Sequence, residues 1–445
     1  MENKFRTLII AEAANPEWES VPLIGWSLYR ALSEKTNAHL ITHVRNRDAV
    51  TRAGLIEGKD FTAIDMEWLA RPIWKIASGI RGGDGKGWTT MAAFSALSYY
   101  AFEHAIWGQF NDRLKAREFD LVHRITPLSP THQSLLASRL AAIKVPFVLG
   151  PLNGGVPWPK QFRGRQQAER EWLSSFRDLY KCMPAYKSTL SKCSAIIAGS
   201  KFTQSQFPSG VLNKCIYVPE NGIDPKRFQK KRARRTIIPL RAAFLGRLVP
   251  YKGADILLRA ASRFIHSGQL QLDIIGDGPQ RDELESLTKE LSIDGHVKFH
   301  GWVAHRDVQN LLRESDFLAL PSIREFGGGV ILEAMALGVP PVVANYAGPS
   351  ELVDNETGIR VEFDCTDSLC QNFEKAIQSL VDHPERIDAM GTAGKLKVSR
   401  AFTWSAKANQ ILELYEAITS NNLDPSRLGL QPAHRLSTPP RTTPT

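Results

Sequence analysis

The stretch from Arg324 to Gly338 reads Arg-Glu-Phe-Gly-Gly-Gly-Val-Ile-Leu-Glu-Ala-Met-Ala-Leu-Gly and follows an apolar run that ends at Pro321-Ser322. Three glycines between a strand and a helix let backbone come close to a ligand. The first N–H groups of that helix carry partial positive charge, which suits phosphate or sugar oxygens. The expected cradle is Phe326, Gly327, Gly328, Gly329 and Val330. Glu333 falls one turn into the helix, where a carboxylate can accept from both hydroxyls of a ribose, as the acidic residue of dinucleotide folds does. Glu325 sits on the loop, within reach of a sugar. Either feature alone has a plain alternative: a glutamate suits a first helical turn, and glycines make turns.

A second group is Gly246-Arg247-Leu248-Val249-Pro250-Tyr251-Lys252-Gly253, where another strand gives way to a helix. Arg247 offers a two-pronged donor and Lys252 a point charge, both suited to a pyrophosphate. As isolated residues they read equally as surface cations. Gly276-Asp277-Gly278-Pro279 is turn chemistry after a further strand, with Gly276 a candidate ligand contact. The loop from Gly150 to Pro159 is rich in Gly, Pro and Trp. Asn153, Gly154 and Gly155 are candidates for contact with a substrate there, and Trp158 is a candidate to stack on a sugar ring or to plug a core.

Alternating elements must position these residues. From Arg241 onward, short strands at 242–245, 272–275, 297–299, 317–320, 341–344 and 359–361 alternate with helices near 254–267, 280–291, 306–314, 329–337 and 367–382. That pattern predicts a parallel sheet covered on both faces, with ligands beyond the carboxyl ends of its strands. The first half alternates less cleanly, with strands at 7–11, 39–44, 120–125, 147–150 and 195–198. A Trp- and Tyr-rich segment from about 66 to 117 interrupts it, with two helices expected around the glycine-rich loop 81–87. A linker is expected near 200–225, and a Pro-, Ser- and Thr-rich disordered tail from 421.

At 445 residues the chain predicts two domains. The net charge of +10 favours anionic partners without choosing one, and the basic run 230–235 reads as solvated loop or anion contact. The five cysteines have neither CxxC nor zinc spacing and read as free thiols. The N-terminus has no signal-peptide pattern, and no apolar stretch is long enough to span a membrane. No base-stacking module or recognition helix supports nucleic-acid binding. A cytoplasmic protein is expected, with the Trp- and Tyr-rich segment either touching anionic lipid or packing into the first domain.

These motifs resemble the retaining glycosyltransferases of the GT-B fold, specifically the large family 4. The resemblance rests on Gly246-Arg247 with Lys252-Gly253, Gly276-Asp277-Gly278-Pro279, the Glu325 and Glu333 pair, the run Glu333 to Pro340, Asn221-Gly222-Ile223-Asp224 and Phe402-Thr403-Trp404. It is specific over about 195–418. It implies an α/β protein of two doubly wound, Rossmann-like domains facing a cleft. The acceptor side would be 1–205, and the nucleotide-sugar donor domain 206–401. A helix over 402–420 would pack back on the first domain, and the tail would be 421–445. It further implies that Glu333 binds the donor ribose, Glu325 contacts the transferred sugar, and Arg247 with Lys252 neutralises the departing diphosphate. The family needs no metal or other cofactor, and the chain has no Asp-x-Asp motif. The first domain departs from the pattern. The usual glycine-rich first loop is replaced by Asn15-Pro16-Glu17-Trp18-Glu19-Ser20, and the family's histidine falls on Ile125. His123 is the candidate to replace it, or is a core histidine; His132 is a further candidate. The expected activity is metal-independent hexosyl transfer, with retention, to a carbohydrate or lipid-linked acceptor. The alternative is a non-catalytic nucleotide-sugar or polyanion-binding protein on the same fold.

Overall fold

The computed structural model describes residues 4–67, 88–154, 156–159, 162, 180–181, 184–228 and 238–429. Two compact units divide the chain. The first takes residues 1–154, 177–220 and 404–445; the second takes 155–176 and 221–403.

The first unit is a parallel sheet of strands β1 (Arg6–Ala11), β2 (Asn37–His43), β3 (Phe61–Ile64), β4 (Leu121–Thr126), β5 (Phe147–Leu152), β6 (Ala195–Ala198) and β7 (Cys215–Tyr217). Their order across the sheet is β3-β2-β1-β4-β5-β6-β7. The pleat sorts alternate residues to opposite cores. Leu8, Ile10 and Val122 face one core, while Ile9, Ala11, Leu121 and Ile125 face the other. The first core is covered by the helix Trp88–Lys115, through Tyr99, Phe102, Ile106, Phe110 and Leu114 at spacings of three and four. The second is covered by the last helix, Trp404–Thr419, through Ala408, Ile411, Leu414 and Tyr415. Each such side chain contributes about 1.5–3 kcal/mol on full burial.

Two sequence expectations are revised here. The linker expected near 200–225 narrows to its end: β7 completes the first sheet, and the chain changes unit after Glu220, within the expected Pro219–Gly222 turn. Of the aromatic segment, the described part turns its apolar face into the core. Its glycine loop 81–87, and the tryptophans Trp68 and Trp74, lie outside the described residues. The tail does not begin at 421, since Leu423 and Leu428 pack against the second core; 430–445 lie outside the described residues. The basic run 230–235 also lies outside them. No described helix is long and apolar enough to cross a membrane. The four described cysteines, Cys193, Cys215, Cys365 and Cys370, are free thiols.

The altered first loop carries a cost. Ser20, just before the helix Val21–Ser33, has φ 62° and ψ −134°. A side chain is strained there and glycine is not. We expect Ser20→Gly to raise stability by about 1 kcal/mol after the extra freedom of unfolded glycine is subtracted. An unchanged or lower thermal midpoint would show that the loop is not strained.

The second unit is a parallel sheet of β8 (Leu240–Leu245), β9 (Leu270–Ile275), β10 (Val297–Gly301), β11 (Phe317–Leu320), β12 (Pro341–Ala344) and β13 (Ile359–Val361). Their order is β10-β9-β8-β11-β12-β13. The chain reverses its direction of winding at β8, so the carboxyl ends of β8 and β11 form the switch point where such sheets bind ligands.

Candidate functional site

The two loops leaving β8 and β11 are locked together by backbone contacts. Gly253 has φ +71°, and a Cβ there would lie 2.6 Å from the Pro321 carbonyl. The Ile323 N–H donates to the Tyr251 carbonyl at 2.9 Å. The turn after β9 fits equally closely. A Cβ on Gly276 would lie 2.0 Å from the Gly246 carbonyl, so this glycine is required by the neighbouring turn. The motifs 246–253, 276–279 and 321–328 therefore form one assembly.

That assembly brings Lys252 and Glu325 into an ion pair through Nζ and Oε2. Both are mostly buried, at 14% and 16% side-chain exposure. Burial alone would push the lysine down; attraction to Glu325 and the hydrogen bond between them outweigh it and hold the ammonium above its ordinary value. Arg247 is exposed and makes no ion pair among the described residues. Gly328 (φ +57°) precedes the helix Gly329–Leu337, with Gly327, Gly329 and Val330 half-buried around it. Phe326 lies beside Arg324, whose guanidinium sits 5.3 Å from the ring centre.

Glu333 is 9% exposed on this helix. A buried carboxylate needs a donor, and His305 provides it: Nε2 lies 2.6 Å from Glu333 Oε1. Arg227 in turn donates from Nη2 to His305 Nδ1 at 2.9 Å. Sequence reasoning missed both residues. Nothing in their spacing, 28 residues from His305 to Glu333 and 78 from Arg227 to His305, announces the contact. The only legible signal was the requirement itself, that a buried glutamate have a partner.

The remaining candidates separate. His123 is fully buried in the first unit, with Nδ1 2.6 Å from the Tyr415 hydroxyl and Nε2 2.7 Å from the Gly150 carbonyl. The carbonyl can only accept, so Nε2 carries the proton and Nδ1 accepts from tyrosine. Burial lowers its pKa to about 4, against the Gly150 bond. His123 is thus a core histidine with no nitrogen to offer a substrate, which corrects its assignment as catalytic. His132 is also lowered to about 4, by burial and then by Arg124.

Asn153 spends its side-chain oxygen inside the first unit, accepting from Gly154 N–H at 2.9 Å and from Ser200 Oγ at 2.9 Å. Gly154 is half-buried at φ +144°, and Gly155 lies outside the described residues. Trp158, expected on the acceptor side, belongs instead to the second unit. It is 8% exposed. Its ring meets Tyr251 edge-on at 6.3 Å and lies 5.5 Å from the Arg324 guanidinium. The loop around it is fastened to the same unit: Arg324 Nε donates to the Val156 carbonyl at 3.1 Å, and Tyr346 donates to the Pro157 carbonyl at 3.0 Å. Among the described residues no group of three or more His, Cys, Asp or Glu side chains is placed to hold a metal ion.

Residues 227–397, which include every donor-site candidate, match the family described as glycosyl transferases group 1. A GDP-mannose-dependent monoacylated alpha-(1-6)-phosphatidylinositol monomannoside mannosyltransferase from Corynebacterium glutamicum is 32% identical over 49% of this chain and 58% of its own. The chain spans about half the length of the curated relatives it matches. A sucrose-phosphate synthase from Thermosynechococcus elongatus superposes with a TM-score of 0.60 at 18% identity, covering 94% of this chain and 100% of that one. Anabaena HepE, solved in complex with UDP and glucose, gives 0.56 at 16% identity over 93% of this chain and 100% of its own. The fold is accordingly GT-B, two parallel-sheet α/β domains, with the segment that matches glycosyl transferases group 1 lying wholly in the second.

Proposed function

We propose that the protein is a retaining glycosyltransferase of family 4, moving a sugar from a nucleotide-diphosphate donor to an acceptor hydroxyl. The observation that carries this reading is the convergence of Lys252, Glu325 and the Gly328–Glu333 helix start at the switch point of the second sheet. Arg247 and Lys252 neutralise the diphosphate, and the donor's phosphate competes with Glu325 for Lys252. Backbone from Phe326 to Val330, together with Gly276 on the Gly246 turn, cradles phosphate and sugar, and Glu333 binds the ribose. A developing phosphate charge held by fixed cations is where such a site gains its rate.

In the proposed step the bond from the anomeric carbon to the phosphate oxygen breaks. The acceptor oxygen bonds to that carbon on the same face, and its proton passes to the departing phosphate. The burial of His123 supports a route that needs no histidine base. The first unit, which contributes none of the donor residues, is assigned to the acceptor. HepE, with UDP and glucose, and the mannosyltransferase of C. glutamicum support a hexose donor and a carbohydrate or lipid-linked acceptor.

The test is incubation of the purified chain with UDP-, GDP- and ADP-hexoses, reading nucleoside diphosphate release and product anomer by NMR. Release from one donor with the anomeric configuration kept is expected. An inverted product overturns retention. Donor binding without release, with any acceptor extract, favours the non-catalytic alternative.

A further inference from the structure

The sequence assigns Glu333 a ligand but says nothing of what aims it. A glutamate side chain has three rotatable bonds, and fixing them on binding lowers affinity. In the structure that cost is met beforehand by two residues from outside the helix. His305 begins the helix His305–Leu312, after β10. Arg227 follows the Asn221–Asp224 turn. The turn is itself fastened, by the Ile223 N–H to the Phe402 carbonyl at 2.8 Å.

The chemistry of the chain of contacts is one-directional. Arginine has donors only, so the lone pair of His305 must lie on Nδ1, where Arg227 Nη2 approaches at 2.9 Å. The proton is then on Nε2, pointing at Glu333 Oε1 at 2.6 Å. Arg227 thus fixes the tautomer, and the tautomer fixes the carboxylate. Oε1 is occupied; Oε2 has no partner among the described residues. The Asn221 side chain lies against the same helix start, its Oδ1 3.5 Å from where a Gly329 Cβ would be. A single free carboxylate oxygen, held in place at the start of a helix, is an acceptor suited to a vicinal diol.

We propose that His305 and Arg227 are positioning residues for the recognition of ribose: they orient Glu333 so that the site distinguishes ribonucleotides from deoxyribonucleotides. The proposal rests on the donor-site reading above and deepens it. Neither residue touches the transferred sugar, so their influence lies on nucleotide affinity and not on the chemical step.

The test is calorimetric titration of the full chain with UDP, GDP and ADP and with their 2′-deoxy counterparts. Wild type, His305→Phe, His305→Gln and Arg227→Met are compared. Wild type is expected to prefer its ribonucleotide about tenfold, the worth of one charge-assisted hydrogen bond. His305→Phe keeps a flat ring but loses the donor. Its ribonucleotide affinity falls about tenfold while the 2′-deoxy affinity, which rests on the 3′-hydroxyl alone, falls much less, so the preference shrinks. His305→Gln retains an N–H near the Nε2 position and most of the preference, and Arg227→Met lies between. Retained 2′-deoxy binding shows that each variant is folded. An unchanged preference in His305→Phe overturns the proposal, as does an equal loss of both affinities. If wild type binds a nucleotide with no ribose preference, the positioning role fails while the donor site stands. If it binds none, the donor site fails as well.

Discussion

On the role proposed for Lys252, replacing it with methionine is expected to lower turnover about 100- to 1,000-fold, the effect of removing a fixed charge that acts on a developing anion. The same change removes the counter-charge of Glu325, which is 16% exposed and has no other ion pair among the described residues. A mostly buried carboxylate left alone costs about 3 kcal/mol of stability. The two consequences are separable. Lys252→Met combined with Glu325→Gln takes away the stranded charge, so the thermal midpoint recovers toward wild type while turnover stays low. Lys252→Arg keeps the charge but replaces a compact ammonium with a planar fork, and turnover falls about tenfold. Stopped assays of nucleoside diphosphate release and a thermal melt read both quantities. If Lys252→Met turns over within threefold of wild type, Lys252 is a structural cation and the diphosphate is neutralised elsewhere.

On the same proposal, Glu333→Ala is expected to weaken donor binding about 10- to 100-fold, with little change in turnover at saturation. A hydrogen bond to a charged group is worth about 1.5–3 kcal/mol. In the proposed donor site the ribose is remote from the anomeric carbon, so its contact with Glu333 would be made equally before and during the reaction. A rise in KM without a fall in kcat is the signature. In a thermal melt with 1 mM nucleotide, the stabilisation of wild type disappears in the variant. A fall in kcat with KM unchanged would move Glu333 from the ribose to the reacting centre.

Much of the second unit is legible in its sequence. Its strands are buried on both faces, so they read as unbroken apolar runs such as Phe317–Leu320 and Pro341–Ala344, and the structure places them there. Its glycines were legible as unusual but not as necessary. The reason for Gly276 lies in the Gly246 carbonyl, which no local pattern reports. The first unit was harder. β7 is three residues long, between Pro208 and Pro219, and its chemistry is that of a connection until β6 pairs with it. His123 stood near the tip of a strand, where a catalytic residue belongs. Its partner Tyr415 lies 292 residues away, in a helix of the same unit. The alternative weighed for it, a core histidine, is what the structure contains. Arg227 and His305 were invisible for the same cause, since a contact between side chains far apart in sequence leaves no spacing to read.

The chain passes between its units at 154/155, 176/177, 220/221 and 403/404. Recombination has therefore two pieces to exchange, not one. A chimera that imports 221–403 from a relative to change the nucleotide or the sugar keeps the native 155–176. The imported Arg324 and Tyr346 counterparts would then face foreign carbonyls at Val156 and Pro157. Grafts that carry both pieces preserve these bonds and the ring contacts of Trp158 with Tyr251 and of Phe162 with Phe363. For anyone shuffling segments among chains of this fold, the short early segment travels with the late half or the hybrid loses part of its floor.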